Sequence, residues 1–131
     1  MPMITLNLSR RPDADTMLAV RRAVLDLTVD VLRKKKAQTA LSAQSVDDWS
    51  VGGVPVEARQ MALHLEVRVT VGTTTAHDRT RFMAAAWSSL EELLGPLHPS
   101  SYCIVTEVPA DAWSCFSEAK ELARACERLA P

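Results

Sequence analysis

The 131-residue sequence has 47% hydrophobic and 24% charged residues and a formal net charge of −1, the profile of an ordinary globular protein. This balance argues against the strongly basic surface of a protein that binds nucleic acid or anionic membranes. No apolar run approaches the roughly 20 residues of a membrane span, and no signal peptide is recognisable, so we expect a cytoplasmic protein with reduced cysteines. Histidine, cysteine and acidic residues do not combine at metal-ligand spacing, and we predict neither a metal nor another cofactor.

The first half of the chain reads as a strand, a long helix and a second, weaker strand. Residues 3–8 alternate between apolar and polar side chains, which predicts a strand. Asp13 then provides an N-cap for a helix of about five turns, in which apolar residues recur at spacings of three and four. The segment 39–43 is short and has middling strand propensity. The glycine pair Gly52-Gly53 follows and predicts a small hairpin.

The second half repeats this order. Residues 63–71 alternate strictly between apolar and polar side chains and predict the clearest strand of the chain. Thr75 and Asp78 have the spacing of a capping box before a second long helix, and Gly95 ends that helix. A fourth strand is predicted at residues 102–106. The segment Val108 to Ser114 also echoes Val46 to Ser50, which supports an internal repeat.

Ser117 is predicted to cap a final helix. Leu122, Cys126 and Leu129 recur in it at helical spacing, and we expect these three side chains to pack inward.

A long helix between two strands is a crossover, so each half is predicted to be a right-handed β-α-β unit. The predicted class is α/β (an α+β sandwich): a four-stranded sheet with both long helices on one face. The chain is expected to be one domain, residues 1–131, made of repeats at about 1–60 and 61–131. The other face of the sheet lacks a cover, which favours oligomerisation.

Two features of the N-terminal stretch point to chemistry. If the initiator Met1 is removed, Pro2 becomes the N-terminal residue and carries a secondary amine, which no internal residue offers. An arginine pair, Arg10-Arg11, stands where the first strand is expected to end, and it could bind an anion.

Together with the duplication, Pro2, Arg11-Pro12-Asp13 and Trp49-Ser50-Val51-Gly52-Gly53 resemble the tautomerase superfamily in their order and spacing. In particular, nearly the whole chain resembles a fused, two-copy member of the 4-oxalocrotonate tautomerase group.

The resemblance implies a role for each matching residue. Pro2 would act as general base on a small enol or dienol carboxylic acid, or as general acid in hydratase and decarboxylase relatives. Arg11, with Arg10 beside it, would hold the carboxylate, and Trp49 would lower the polarity around the proline. Trp113 matches Trp49 and is a second candidate for the pocket wall. A fused member is expected to form a homotrimer.

The sequence also departs from the family pattern. Family members place another arginine on the strand before the aromatic residue, and none stands there in this chain. The decarboxylase and dehalogenase branches of the family place arginines just after the third strand, where this chain has residues 71–74 without an arginine. Arg68 lies within that strand and could substitute for them, although a solvent-facing or ion-paired residue, with Glu66 or His64 nearby, is the simpler interpretation. Glu107 resembles a position that some fused relatives keep acidic. The missing arginines disfavour decarboxylase and dehalogenase activity. Hydratase, dehalogenase or decarboxylase activity at the same proline is nevertheless kept as an alternative to the tautomerase, as is a non-catalytic, ferredoxin-like oligomeric binding module.

Overall fold

The computed structural model of the chain describes residues 1–131 and contains six strands and three α-helices. The strands are β1 Met3–Leu8, β2 Ala40–Ser45, β3 Ser50–Val51, β4 Val54–Pro55, β5 Leu63–Thr70 and β6 Tyr102–Val108. The helices are α1 Ala14–Asp30, α2 Ala76–Leu94 and α3 Ala119–Leu129, and short 3-10 turns lie at Lys36–Gln38, Ala110–Ala112 and Phe116–Glu118. None of the helices combines the length and the apolarity that crossing a membrane requires.

Four strands form one mixed sheet in the order β2-β1-β5-β6, and β3 pairs with β4 in a separate hairpin. The outer pairs are parallel, whereas β1 and β5 at the centre are antiparallel. The start of β1 therefore lies at the same end of the sheet as the ends of β5 and β6, and we call this the proline end, after Pro2. The opposite end holds the end of β1, with Arg10 and Arg11 just beyond it, and we call it the arginine end.

The core lies between one face of the sheet and the helices α1 and α2. Every second side chain of β1 and β5 is buried there, and both long helices contribute apolar residues to the same cluster. Each fully buried Leu, Ile, Val or Phe side chain stabilises the fold by about 1.5–3 kcal/mol relative to its exposed state. The predicted four-stranded sheet with two long helices on one face is thus confirmed.

The starts of both long helices are capped as the sequence predicts. The Asp13 carboxylate accepts a hydrogen bond from the Thr16 backbone N–H at 2.8 Å. At α2, Thr75 and Asp78 form a reciprocal capping box, and the Asp78 carboxylate also pairs with the Arg33 guanidinium at 2.6 Å. Hydrogen bonds from Thr75, followed by the contact with Arg33, lower the pKa of Asp78 to about 2. These contacts fix α2 against the end of α1.

The prediction for the C-terminal helix is wrong in two respects. The helix α3 forms, but Leu122, Cys126 and Leu129 are exposed, and Glu118, not Ser117, stands at its N-cap without a side-chain capping bond. The reason is its position: α3 follows two 3-10 turns beyond the end of β6, so its apolar side does not reach the core.

Candidate active site

A cavity of about 450 Å³ lies at the proline end. Its apolar lining comes from Met1, Pro2, Met3, Ala40, Ala110 and Trp113. Its polar lining comes from Gln38, Thr70, Ser114, Cys115 and Glu118. A mostly apolar wall with a few polar groups is the usual form of a small-molecule site.

Pro2 is held in this cavity by the sheet. It directly precedes β1, its side chain is buried, and its carbonyl accepts a hydrogen bond from the Ala40 backbone N–H at 3.3 Å. While Met1 is attached, the Pro2 nitrogen is part of an amide and cannot accept a proton. Met1 itself lines the cavity. Removal of Met1 would therefore create the amine and enlarge the space around it.

Within one chain, Trp113 lies beside Pro2 and Trp49 does not. Strand β6 runs parallel to β5 and therefore ends at the proline end, where the following turn, closed by the Ala112 N–H to Pro109 carbonyl bond of 2.9 Å, presents Trp113 to the cavity. Strand β2 runs parallel to β1 and ends at the opposite end. The hairpin that begins after Trp49 belongs to that end. The two matching aromatic residues thus lie at opposite ends of the sheet.

The structure does not bring the arginine pair to Pro2 of the same chain. Arg10 and Arg11 follow the six residues of β1, which at about 3.3 Å per residue separate them from Pro2 by about 20 Å. Arg11 lines a separate pocket of about 40 Å³, together with Arg21 and Ser45. No basic side chain lines the proline-end cavity, and its only acidic one is Glu118.

Arg68 and Glu107 are both occupied in ion pairs outside the cavity lining. The Arg68 guanidinium donates to the Glu66 carboxylate at 3.0 Å, and that carboxylate also accepts the Thr106 hydroxyl at 2.7 Å. The Glu107 carboxylate accepts from the Arg79 guanidinium at 2.7 Å. Arg68 stands two residues before Thr70, which does line the cavity. Neither charged residue lines the cavity, and each is paired with another side chain.

Sequence reasoning missed the polar residues of the cavity, above all Cys115 and Glu118. Both follow Trp113 in the segment that leads into α3, and the Cys115 thiol lies 3.1 Å from the Ser117 hydroxyl. The direction of β6 was the available signal, since residues that follow this strand must lie near Pro2.

Burial raises the pKa of Cys103, on β6 itself, to about 12, so that thiol stays protonated and packs against the core.

The arrangement is suited to moving a proton on a small molecule. An amine at Pro2 would face the Trp113 side chain, and an apolar wall disfavours the charged ammonium form and lowers the amine pKa. Gln38 and Ser114 offer neutral groups that can hydrogen-bond a carbonyl or enol oxygen. A base whose pKa lies near the working pH is the most effective proton-transfer catalyst.

Comparisons with known proteins establish the fold. No protein-family model and no curated protein matches this sequence. The crystal structure of Pt0534 inactivated by 2-oxo-3-pentynoate superposes with a TM-score of 0.78 at 15% identity, over 93% of this chain and 99% of that one. A fused 4-OT solved as a symmetric trimer gives 0.74 at 14% identity, over 87% and 91%. FG41 malonate semialdehyde decarboxylase, inhibited by 3-bromopropiolate, gives 0.69 at 20% identity, over 94% and 96%.

The chain has the tautomerase-superfamily fold. At these identities the likeness is one of architecture, and the resemblance to a fused 4-oxalocrotonate tautomerase that the sequence suggested is confirmed at that level.

Proposed function

We propose that this chain is a tautomerase that uses the amine of Pro2, after removal of Met1, as general base on a small enol or dienol carboxylic acid. The observation that carries the proposal is the position of Pro2 in a 450 Å³ cavity beside Trp113. The neutral amine would accept the proton of the enol hydroxyl and return a proton to carbon, which yields the keto acid. General acid–base catalysis of this kind contributes about 10²–10⁴-fold to a rate.

The carboxylate of the substrate needs a cation that one chain does not place in the cavity. Arg10 and Arg11 of a second copy can supply it if the arginine end of that copy meets the proline end of the first. A head-to-tail contact of this type closes into a ring when the rotation between copies allows it. Fused 4-OT structures with this fold are trimers, in symmetric and asymmetric forms, and supply the precedent for a homotrimer of this chain. Trp49, near the arginines, would approach the same site.

Hydration or dehalogenation of an unsaturated acid is the second candidate reaction at this proline. The Glu118 carboxylate in the cavity favours it, because a carboxylate near the substrate can take a proton from water while Pro2, protonated, donates one. The likeness to a malonate semialdehyde decarboxylase keeps decarboxylation as a related alternative. A non-catalytic binding module is the outcome if none of these substrates turns over.

The test begins with the intact mass of the purified protein, which shows whether Met1 has been removed. Ketonisation of phenylenolpyruvate and of 2-hydroxymuconate is then followed by absorbance for the wild type, Pro2→Ala and the exposed hairpin variant Pro55→Ala. We expect Pro2→Ala to lower kcat/KM by about 10²–10⁴-fold and Pro55→Ala to leave it unchanged. Equal rates for the wild type and Pro2→Ala would refute the proposed role of Pro2.

A further inference from the structure

The C-terminal helix α3 presents an apolar stripe that the chain itself does not cover. Phe116 in the preceding turn is 94% exposed, Leu129 is 84% exposed and Leu122 is 47% exposed. Together with Ala119 and Cys126, the two leucines recur at spacings of three and four and therefore lie on one side of the helix. A stripe of this kind on an element outside the core marks an interaction surface.

The helix also needs a partner in order to be stable. It has 11 residues, and an isolated helix of fewer than about 12–15 residues is marginal in water. Its N-cap, Glu118, makes no side-chain capping bond, and every residue of α3 except Ala125 is exposed. Helical structure here has to come from packing of the apolar stripe, since neither length nor capping provides it.

A matching surface lies at the arginine end of the sheet, on the face that α1 and α2 leave uncovered. Tyr102 at the start of β6 is 64% exposed, and Ile104 lies next to it on the same face. In the same row of the sheet, Tyr102 pairs with His64 across β6 and β5, and His64 pairs with Asn7 across β5 and β1.

The charges of the two surfaces are complementary. The first turn of α3 carries Glu118 and Glu121, whereas the arginine end carries the exposed Arg10 and Arg11. Glu118 also lines the Pro2 cavity. A contact between these acidic and basic groups would therefore bring the arginines to the rim of the cavity.

We infer that α3 of one copy docks on the uncovered sheet face at the arginine end of a second copy, with the Leu122–Leu129 stripe against Tyr102 and Ile104. The occupant is a second copy of this chain because this chain holds both halves of the contact, at opposite ends of the sheet. The inference rests on the proposed function only for the head-to-tail arrangement. Its tests measure molecular mass, so that it can fail or hold independently of catalysis by Pro2.

The first test compares two double variants of α3 by light scattering or sedimentation. Leu122→Gln with Leu129→Gln removes the stripe, and Lys120→Gln with Arg124→Gln changes the opposite side of the helix as the matched control. We expect the wild type and the control to have a multiple of the 14.4 kDa chain mass. The dissociation constant of the assembly should be more than about 100-fold higher for the stripe variant than for the wild type, because two leucines lose their burial at the contact. Equal masses for all three proteins would overturn the inference.

The second test identifies the receiving surface. Tyr102→Glu should dissociate the assembly as the stripe variant does, and its exposed position leaves the core intact. In a mixture of the two variants, Tyr102→Glu supplies an intact α3 and the stripe variant supplies an intact receiving face. One contact can then form, so the mixture should contain a heterodimer of twice the chain mass and no ring. Pro2→Ala should keep the wild-type mass.

Two other occupants would give different results, and either would overturn the inference. If α3 pairs with α3 of another copy, the stripe variant dissociates whereas Tyr102→Glu keeps the wild-type mass. If α3 lies on a lipid surface, the wild type remains at 14.4 kDa and co-sediments with vesicles of phosphatidylglycerol and phosphatidylcholine.

Discussion

The two ends of the sheet have the same arrangement of strands, but they differ in the residue that precedes the central strand. At the proline end, the central strand β1 starts and the outer strand β6 ends, and the turn after β6 carries Trp113. At the arginine end, the central strand β5 starts and the outer strand β2 ends, and the turn after β2 carries Trp49. At the proline end, Pro2 and Trp113 border a cavity of about 450 Å³. At the arginine end, the central strand starts after the buried Ala62, and the local pocket has only about 40 Å³.

This difference shows how a duplicated unit can divide the parts of one site between its ends. Only the first unit begins at a residue that can become a free amine, so only the proline end can supply the base. Only the end of β1 carries an arginine pair, so the cation stands at the opposite end. Under the proposed function, a complete site would combine the proline end of one copy with the arginine end of another.

Arg11→Ala should lower kcat/KM for an enol acid by about 10–100-fold, mainly through a higher KM, because a charge-assisted hydrogen bond to the carboxylate is worth about 1.5–3 kcal/mol. Steady-state kinetics measures this change. Arg22→Ala, which alters an exposed arginine on α1, is the control and should leave kcat/KM unchanged.

The division between copies predicts complementation. Mixing inactive Pro2→Ala with Arg11→Ala chains, followed by subunit exchange, should restore part of the wild-type kcat/KM, because some sites then combine an intact Pro2 with an intact Arg11. If mixing restores nothing although exchange is shown by mass, the arginine and the proline do not come from different copies.

Trp113→Ala should lower kcat/KM by about tenfold and move the acidic limb of its pH profile upward by up to about one pH unit. Loss of the apolar wall admits water, which stabilises the ammonium form of Pro2 and raises the amine pKa. The pH dependence of kcat/KM measures this shift. Trp87→Ala is the comparison, because Trp87 packs against the core and its loss should reduce stability without moving the profile.

The smallest effect concerns the capped start of α2. Thr75→Ala removes half of the capping box of α2 and should lower the free energy of unfolding by about 1 kcal/mol, or the Tm by about 4 °C. Thermal unfolding followed by circular dichroism checks it. Thr74→Ala, on the neighbouring residue outside the box, should have a smaller effect.

Asp78 gives α2 a pH dependence with a defined sign. Its folded-state pKa is about 2 against an ordinary value of 3.8, so its stabilising contribution is present above about pH 4 and is lost as the pH falls from about 4 to 2. Asp78→Asn should be less stable at neutral pH and should lose less stability over this range. Parallel slopes for both proteins between pH 4 and 2 would contradict this role.

Local rules predicted most of the fold. The strict alternation of residues 63–71 yielded β5, and the spacing of Thr75 and Asp78 marked the start of α2, because both patterns depend on near neighbours in the chain. The duplication then implied the four-stranded sheet. These features were accessible since each is encoded within one segment.

The composition of the site was harder to predict. Which tryptophan lies beside Pro2 depends on the directions of all four strands, and the match between Trp49 and Trp113 does not contain that information. The apolar spacing in α3 correctly indicated an amphipathic helix, but it could not say whether Leu122 packs on the same chain or on another. Such questions are decided by tertiary and quaternary contacts.

The most direct test of the central claim is the rate of one protein preparation before and after its N-terminus is exposed. A chain that keeps Met1 ahead of Pro2 has no free proline amine, and a methionine aminopeptidase, which accepts proline as the second residue, then releases Pro2 as the first residue, which intact mass verifies. We predict ketonisation at the Pro2→Ala level before cleavage and an increase of about 10²–10⁴-fold after it. Equal rates before and after complete cleavage would contradict the account.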